Sequence, residues 1–340
     1  MVVENGIRPE ITVVVCTYNR AELLRGCLES LAAQTAPGDA FEVIVVDNNS
    51  TDGTPAAARS FEGRVPGLRV VPEAAQGLSS ARNRGWREAR GAFVAFLDDD
   101  ARATERWVET LVRIVGEHAP DVAGGPIRPF YTSPKPAWFK DEYELRIHQA
   151  ESGWMADGYV SGSNFAVRRG LKDEIGEFDT RYGMSGTALA YGEETELLRR
   201  ARGAGKRVYY ALDLEVLHHV PAEKMDLLFA MSAAFRRGAT THELWWEGRV
   251  GYSELRTLYV ALDGFFSGLA EALDGRELDR ERYPYRENYV FENCLPHLST
   301  LGVLAGHAAA HGAGGHSFLA FVRGWVTRRL RELLKRARLG

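Results

Sequence analysis

At 340 residues the chain can hold one large domain or two modest ones, and its 45% hydrophobic and 26% charged residues match a water-soluble globular protein. A net charge of -4 gives no global attraction to nucleic acid. Three cysteines without CxxC spacing (Cys16, Cys27, Cys294) argue against a disulfide framework or structural zinc and suit a reducing cytosol; no secretory signal and no membrane-length apolar run is evident.

"ITVVVC", Ile11 to Cys16, is a β-branched run expected of a strand buried on both faces. Residues 21 to 34 place Leu23, Leu24, Cys27, Leu28 and Leu31 at helical spacing. "FEVIVV" (41 to 46) reads as a second strand, 54 to 61 as a helix, and "LRVV" (68 to 71) as a third strand. A helix over 78 to 90, a strand over 91 to 97 and a helix over 104 to 117 complete an alternating order. That order predicts an α/β fold with a mainly parallel central sheet flanked by helices. Ligands of such sheets gather at the carboxyl ends of strands. Thr17-Tyr18-Asn19-Arg20, Asp47-Asn48-Asn49 and Asp98-Asp99-Asp100 all fall there.

Further along, "VAGGPI" (122 to 127) reads as a strand and 128 to 157 as a long aromatic loop. "GYVSGSNFAVRR" (158 to 169) reads as two short strands around a bend. "ETELLRRARGAG" is a helix and "KRVYYA" a strand; beyond about residue 225 the pattern turns helical. The expected division is a catalytic domain over 1–222 and a helical C-terminal region over 223–340.

Two carboxylates aimed at one point suit a hard divalent cation such as Mg²⁺ or Mn²⁺. At a turn, Asp98 and Asp100 point to one side and Asp99 to the other. The competing reading is a helix start, where acids are favoured by the dipole and Asp100 acts as cap. Asp47, ending a neighbouring strand, favours the cation.

"VVVCTYNR", "VIVVDNNSTDGT", "GLSSARNRGWREARGAFVAFLDDD", "GSNFAVRR", "GEFDTRYG" and "GEETELLRRAR", in this order over residues 10 to 222, resemble family 2 glycosyltransferases. The resemblance implies the GT-A fold and transfer of a sugar from a nucleotide donor to an acceptor, with inversion at the anomeric carbon. It implies a UDP-sugar donor ahead of GDP or dTDP, and a saccharide, lipid-linked or small-molecule acceptor. Thr17, Tyr18, Asn19, Arg20, Asp47, Asn49, Arg82, Asn83, Asp98 and Asp99 would then form the nucleotide side. Asp98 and Asp100, with His218 of "VLHHVPAEK", would hold Mn²⁺ or Mg²⁺. The base of an inverting transfer would be Glu194, standing where the family more often has Asp, with Glu193 as the alternative. Gly162, Ser163 and Asn164 would line the donor sugar or acceptor. Trp138, Phe139 and Trp154 either stack on acceptor rings or pack beneath their loop.

The tail, "FLAFVRGWVTRRLRELLKRARLG", has an apolar face edged by arginines. It suits either packing on the protein or a second subunit, or peripheral contact with the inner face of the plasma membrane. A sugar-nucleotide pyrophosphorylase is disfavoured because "CTYNRAELLRG" lacks a Gly-rich phosphate loop. A catalytically silent nucleotide-sugar-binding module is favoured only by the "GEETEL" departure.

Overall fold

The computed structural model describes residues 9–186, 190–246, 254–274 and 278–310. They fall into two compact units, one comprising Met1–Thr132, Asp141–Ala188 and Glu193–Val220, the other Ser133–Lys140, Leu189–Gly192 and Pro221–Gly340. Two short pieces of the first two-thirds of the chain, 133–140 and 189–192, thus belong with the C-terminal unit.

The first unit is built on β1 (Ile11–Thr17), α1 (Ala21–Ala32), β2 (Phe41–Asp47), α2 (Thr54–Arg59), β3 (Arg69–Pro72), α3 (Leu78–Glu88) and β4 (Phe93–Asp98). β5 (Ala101–Ala103), α4 (Trp107–His118), β6 (Val122–Gly124), β7 (Ile127–Phe130), β8 (Gly153–Met155) and β9 (Asn164–Arg168) follow. α5 (Leu171–Ile175), α6 (Glu193–Gly203), β10 (Val208–Tyr210) and β11 (Val216–His219) complete it. Eight strands form one sheet in the order β3-β2-β1-β4-β9-β6-β10-β8. It is mainly parallel, as the alternating pattern predicts, with β9 and β8 reversed.

Alternation along β1 explains the two cores. Val13 and Val15 face one layer with Leu24, Leu28 and Leu31 of α1 and Trp107 and Leu111 of α4. Val14 faces the other with Trp86 of α3, Phe96, Phe165, Phe178 and Leu197 of α6. Burying each such aliphatic side chain contributes about 1.5–3 kcal/mol, so both faces resist a register slip. α3 sits close to β1 because residue 85 is glycine: a Cβ there would lie 2.3 Å from Val14 Cγ1. That approach carries Arg82, nearly one turn earlier, beneath the strand ends.

Register does the rest of the positioning. Thr17 pairs with Asp47 and Cys16 with Asp98, so three strand ends are level. A second, three-stranded sheet, β5-β11-β7, has no counterpart in the sequence expectations. The segment after the aspartates is strand β5, and the helix expected from 104 starts at Trp107. The strand expected over 122 to 127 is two, β6 and β7, in different sheets. The chain crosses between them at Gly125, where a Cβ would lie 1.9 Å from Leu214 O. Of the two strands expected over 158 to 169, only β9 forms.

The second unit contains α7 (Leu227–Thr240), α8 (His242–Trp246), α9 (Glu254–Asp274), α10 (Arg286–Asn293) and α11 (Leu295–Ala310). Asp226 caps α7 by accepting Phe229 N–H at 2.8 Å. Leu258, Leu262, Phe265, Phe266, Val290, Cys294 and Leu304 make its core. α7 and α11 pack backbone to backbone: a Cβ on Gly302 would lie 2.0 Å from Phe235 O. Among the described residues no helix is long and apolar enough to cross a membrane. The arginine-rich tail, 316 to 340, lies outside the described residues.

Candidate active site

Asp98 ends β4, Asp100 immediately precedes β5, and His218 lies on β11, the strand paired with β5. The pairing sets His218 opposite Ala101, and His219 N–H donates to Asp100 O at 2.9 Å. His218 Nε2 therefore stands 3.2 Å from Asp100 Oδ1 and 3.8 Å from Asp98 Oδ2. One ligand atom from each of the three lies within 4.8 Å of the others.

Counter-charges make three successive aspartates tolerable. Arg20 Nη1 bridges Asp99 Oδ1 and Asp100 Oδ2, each at 3.0 Å, while Arg82 Nη2 reaches Asp98 Oδ1 at 3.1 Å. Asp98 and Asp100 thus each engage an arginine through one oxygen and turn the other toward His218. Burial acts to raise the Asp98 carboxyl, but the hydrogen bond with His218 and the charge of Arg82 outweigh it and hold it below the usual range. Asp99 turns the other way, into the protein, accepting Thr17 Oγ1–H at 2.8 Å. Burial, reinforced by Asp100, pushes its carboxyl up to about 7 against the opposing charge of Arg20.

The three groups suit a hard divalent ion. Bonds of about 2.1 Å to an octahedral ion put adjacent ligand atoms about 3 Å apart and opposite ones about 4.2 Å, close to the separations here. His218 Nδ1 lies 3.1 Å from His219 O, which as a carbonyl can only accept, so Nδ1 carries the proton of that bond; Nε2 faces the carboxylates, donating to them when protonated and offering a lone pair to a cation when not. Asp100 also borders a cavity of about 250 Å³ with Glu22, Leu23, Arg102 and Phe130 among its lining residues.

Arg82 joins this group to the start of α6. It is 2% exposed, and its Nη1 donates to Glu193 Oε1 at 2.7 Å. Glu194, next in the chain, makes no ion pair with a described residue. Burial first, and then the charge of Glu193, push its carboxyl up to about 8. Gly162 is the third wall: a Cβ there would lie 3.0 Å from Arg82 Nη2 and 3.4 Å from Glu194 Cδ.

Several residues expected to touch a ligand are occupied in holding loops together. Asn19 Oδ1 accepts Thr51 N–H at 2.7 Å, and Asn49 Nδ2 donates to Ala74 O at 2.7 Å. Both have positive φ, 52° and 67°, which asparagine tolerates better than most residues. Asn83 uses both amide atoms on Phe178, donating to its carbonyl at 2.9 Å and accepting its N–H at 2.8 Å. Asn164 is fully buried: Nδ2 donates to Pro126 O and Leu214 O while Oδ1 accepts Trp107 Nε1–H. It is a cross-brace; of its neighbours, Ser163 is buried and Gly162 O accepts from Arg82 Nη2 at 3.0 Å. Asp47 accepts Ser50 N–H at 3.1 Å, and Tyr18 stays partly exposed at the strand ends.

Trp154 does not converge on the cluster. Trp154 lies on β8, the outermost strand, four strands from β4 and so about 19 Å away at 4.8 Å per strand. There it packs edge-on to Tyr209 and carries Arg207 over its ring at 4.2 Å. Trp138 belongs to the second unit, where it meets Phe139 and Phe291.

Asn48 is the residue that sequence reasoning passed over. Its side chain donates to Glu73 O and Ala75 O and accepts Gly77 N–H, fixing the loop that leads into α3. Its place in the polar run after β2 was the available signal.

The sheet order, the strand-end aspartates and the acidic helix start define a GT-A glycosyltransferase fold. Over 98% of this chain and 86% of the other, the structure is similar to the mannosyltransferase PcManGT from Pyrobaculum calidifontis in complex with GDP-Man and Mn²⁺, with a TM-score of 0.53 at 22% identity. The profile described as glycosyl transferase family 2 matches residues 12–176. The succinoglycan biosynthesis protein ExoM of Rhizobium meliloti is 30% identical over 265 residues, 76% of this chain and 82% of that protein. Glycosyltransferase AglE of Haloferax volcanii is 29% identical over 244 residues, 71% and 76% of the two chains. The chain belongs to glycosyltransferase family 2 and is a glycosyltransferase.

Proposed function

We propose that this enzyme is a metal-dependent, inverting glycosyltransferase that uses a nucleoside-diphosphate sugar, with catalysis in residues 1–222. The observation that carries the reading is the convergence of Asp98, Asp100 and His218 on one point, with the Glu194 carboxylate beyond Arg82. Mn²⁺ or Mg²⁺ held by those three residues would offset the charge that builds on the departing diphosphate.

The chain's own groups supply the rest. Thr17, Tyr18 and Asp47 are level at the strand ends and form the floor for the nucleoside. Glu194 accepts the proton of the acceptor hydroxyl as its oxygen bonds to the anomeric carbon. The bond from that carbon to the phosphate oxygen breaks, and its electron pair leaves with the diphosphate. A single displacement of this kind inverts the centre. A carboxyl raised to about 8 is a stronger base than an ordinary glutamate and still ionises near neutrality.

UDP is the nucleotide we assign, from the family resemblance, and GDP, carried by the Pyrobaculum neighbour, is the alternative. The Rhizobium relative is named for succinoglycan biosynthesis, which supports a saccharide or saccharide-bearing acceptor. The test is donor binding and hydrolysis with UDP-, GDP- and dTDP-sugars, with Mn²⁺ and with chelator. Metal-dependent binding of one nucleotide class supports the reading; indifference to nucleotide and metal alike overturns it.

A further inference from the structure

One guanidinium is shared by the two halves of the site. Arg82 gives Nη1 to Glu193 Oε1 at 2.7 Å and Nη2 to Asp98 Oδ1 at 3.1 Å and Gly162 O at 3.0 Å. Its Cζ lies 6.0, 5.9 and 5.6 Å from the ring centroids of Phe96, Phe165 and Phe178, three rings packed on one another. Glu193 is 6% exposed, and a Cβ on Gly183 would lie 3.4 Å from its Oε2. A planar fork walled by aromatics and anchored at both ends is held in one orientation.

We propose that Glu193 is a positioning residue which, by anchoring Arg82, couples the Asp98 side of the cation site to the Glu194 carboxylate. The inference rests on the assignment above of Asp98 to the cation and Glu194 to the base. With Glu193 in place, the Arg82 charge is divided between Asp98 and Glu193, and Asp98 keeps enough negative charge for a cation. Without it, the whole guanidinium bears on Asp98 and competes with the metal. Glu194 faces Glu193, Arg82, Asp98 and its own backbone N–H; of these, Glu193 opposes its ionisation most. Loss of the Glu193 charge therefore lowers the pH at which Glu194 ionises. The cation and base would move together, in directions that a role in folding alone does not demand.

The experiment compares wild type with Glu193→Gln in the full chain by two readouts. The first is Mn²⁺ binding without nucleotide, followed by the electron paramagnetic resonance signal of free Mn²⁺. The second is the pH profile of sugar transfer. Expected are an Mn²⁺ affinity lower by about tenfold and a pH midpoint lower by about one unit, the size of one pKa step. Glu193→Asp, which keeps the charge, should return the pH midpoint toward wild type. A Glu193→Gln protein that melts earlier but keeps both the Mn²⁺ affinity and the pH midpoint reduces Glu193 to a structural role and overturns the inference. If Glu193→Gln does not fold, Arg82→Lys takes its place, because a point charge cannot serve both carboxylates; unchanged affinity and midpoint in that variant overturn the inference equally. Failure of the wild type to transfer sugar from any donor defeats the proposed function instead; an unchanged Mn²⁺ affinity in Glu193→Gln then still overturns the inference, and a lowered one supports its Glu193–Arg82–Asp98 link.

Discussion

His218 Nε2 meets Asp100 Oδ1 at 3.2 Å because β11 pairs antiparallel with β5, not because the two residues are near in the chain. In the proposed cation site this pairing makes cation binding depend on both partners. Asp100→Ala should abolish Mn²⁺-dependent nucleotide binding in calorimetry. His218→Ala should weaken Mn²⁺ by at least about tenfold, since even residues behind a metal ligand have effects of that size. Undiminished metal dependence in the Asp100 variant would remove that residue from the cation site.

Glu194 sets the expected pH dependence. Its carboxyl is raised, chiefly by burial, to about 8, and only the ionised form accepts a proton. Transfer should therefore increase as pH rises through about 8 at saturating metal and then level off. Glu194→Gln should lose about 10²–10⁴-fold in turnover, the usual contribution of a general base, with donor affinity intact. A Gln variant with near-native turnover would assign the base elsewhere.

Asn164 gives a stability prediction. Asn164→Ala strips Pro126 O, Leu214 O and Trp107 Nε1 of a buried partner at once. At about 1–3 kcal/mol for each unsatisfied group, the loss should exceed about 3 kcal/mol. Thermal unfolding should show a fall in Tm of at least about 6 °C, at 2–4 °C per kcal/mol for a unit of this size. A variant as stable as wild type would contradict the bracing role.

Trp154 is expected to be silent in catalysis. It is 45% exposed on the edge strand, with Tyr209 and Arg207 as neighbours. Trp154→Ala should leave the KM for acceptor within about twofold, because its truncation reaches no group within hydrogen-bond range of the cluster. A large rise in acceptor KM would show that the acceptor extends to this edge.

The sequence alone determined the alternating strands and helices from Ile11 to Asp98, because a sheet buried on both faces needs unbroken β-branched runs such as "ITVVVC" and its covering helices need a periodic apolar stripe. It also placed the polar clusters at strand ends and, through six ordered motifs, the family. Tertiary structure decided what each polar residue does there. Asp98, Asp99 and Asp100 are alike in sequence, yet one oxygen of Asp98 and of Asp100 faces His218 while Asp99 is turned into Thr17 and Arg20. Asn83 and Asn164 looked like ligand-facing amides and are braces, because only the fold reveals which carbonyls lie within their reach. The short strands β5, β7 and β11 have too few residues to show a period, and their pairing is what brings His218 to Asp100. The link from Glu193 through Arg82 to Asp98 likewise joins α6, α3 and β4 across long stretches of chain. Such contacts follow from register and close packing, such as the approach that Gly85 permits, and no local pattern carries them.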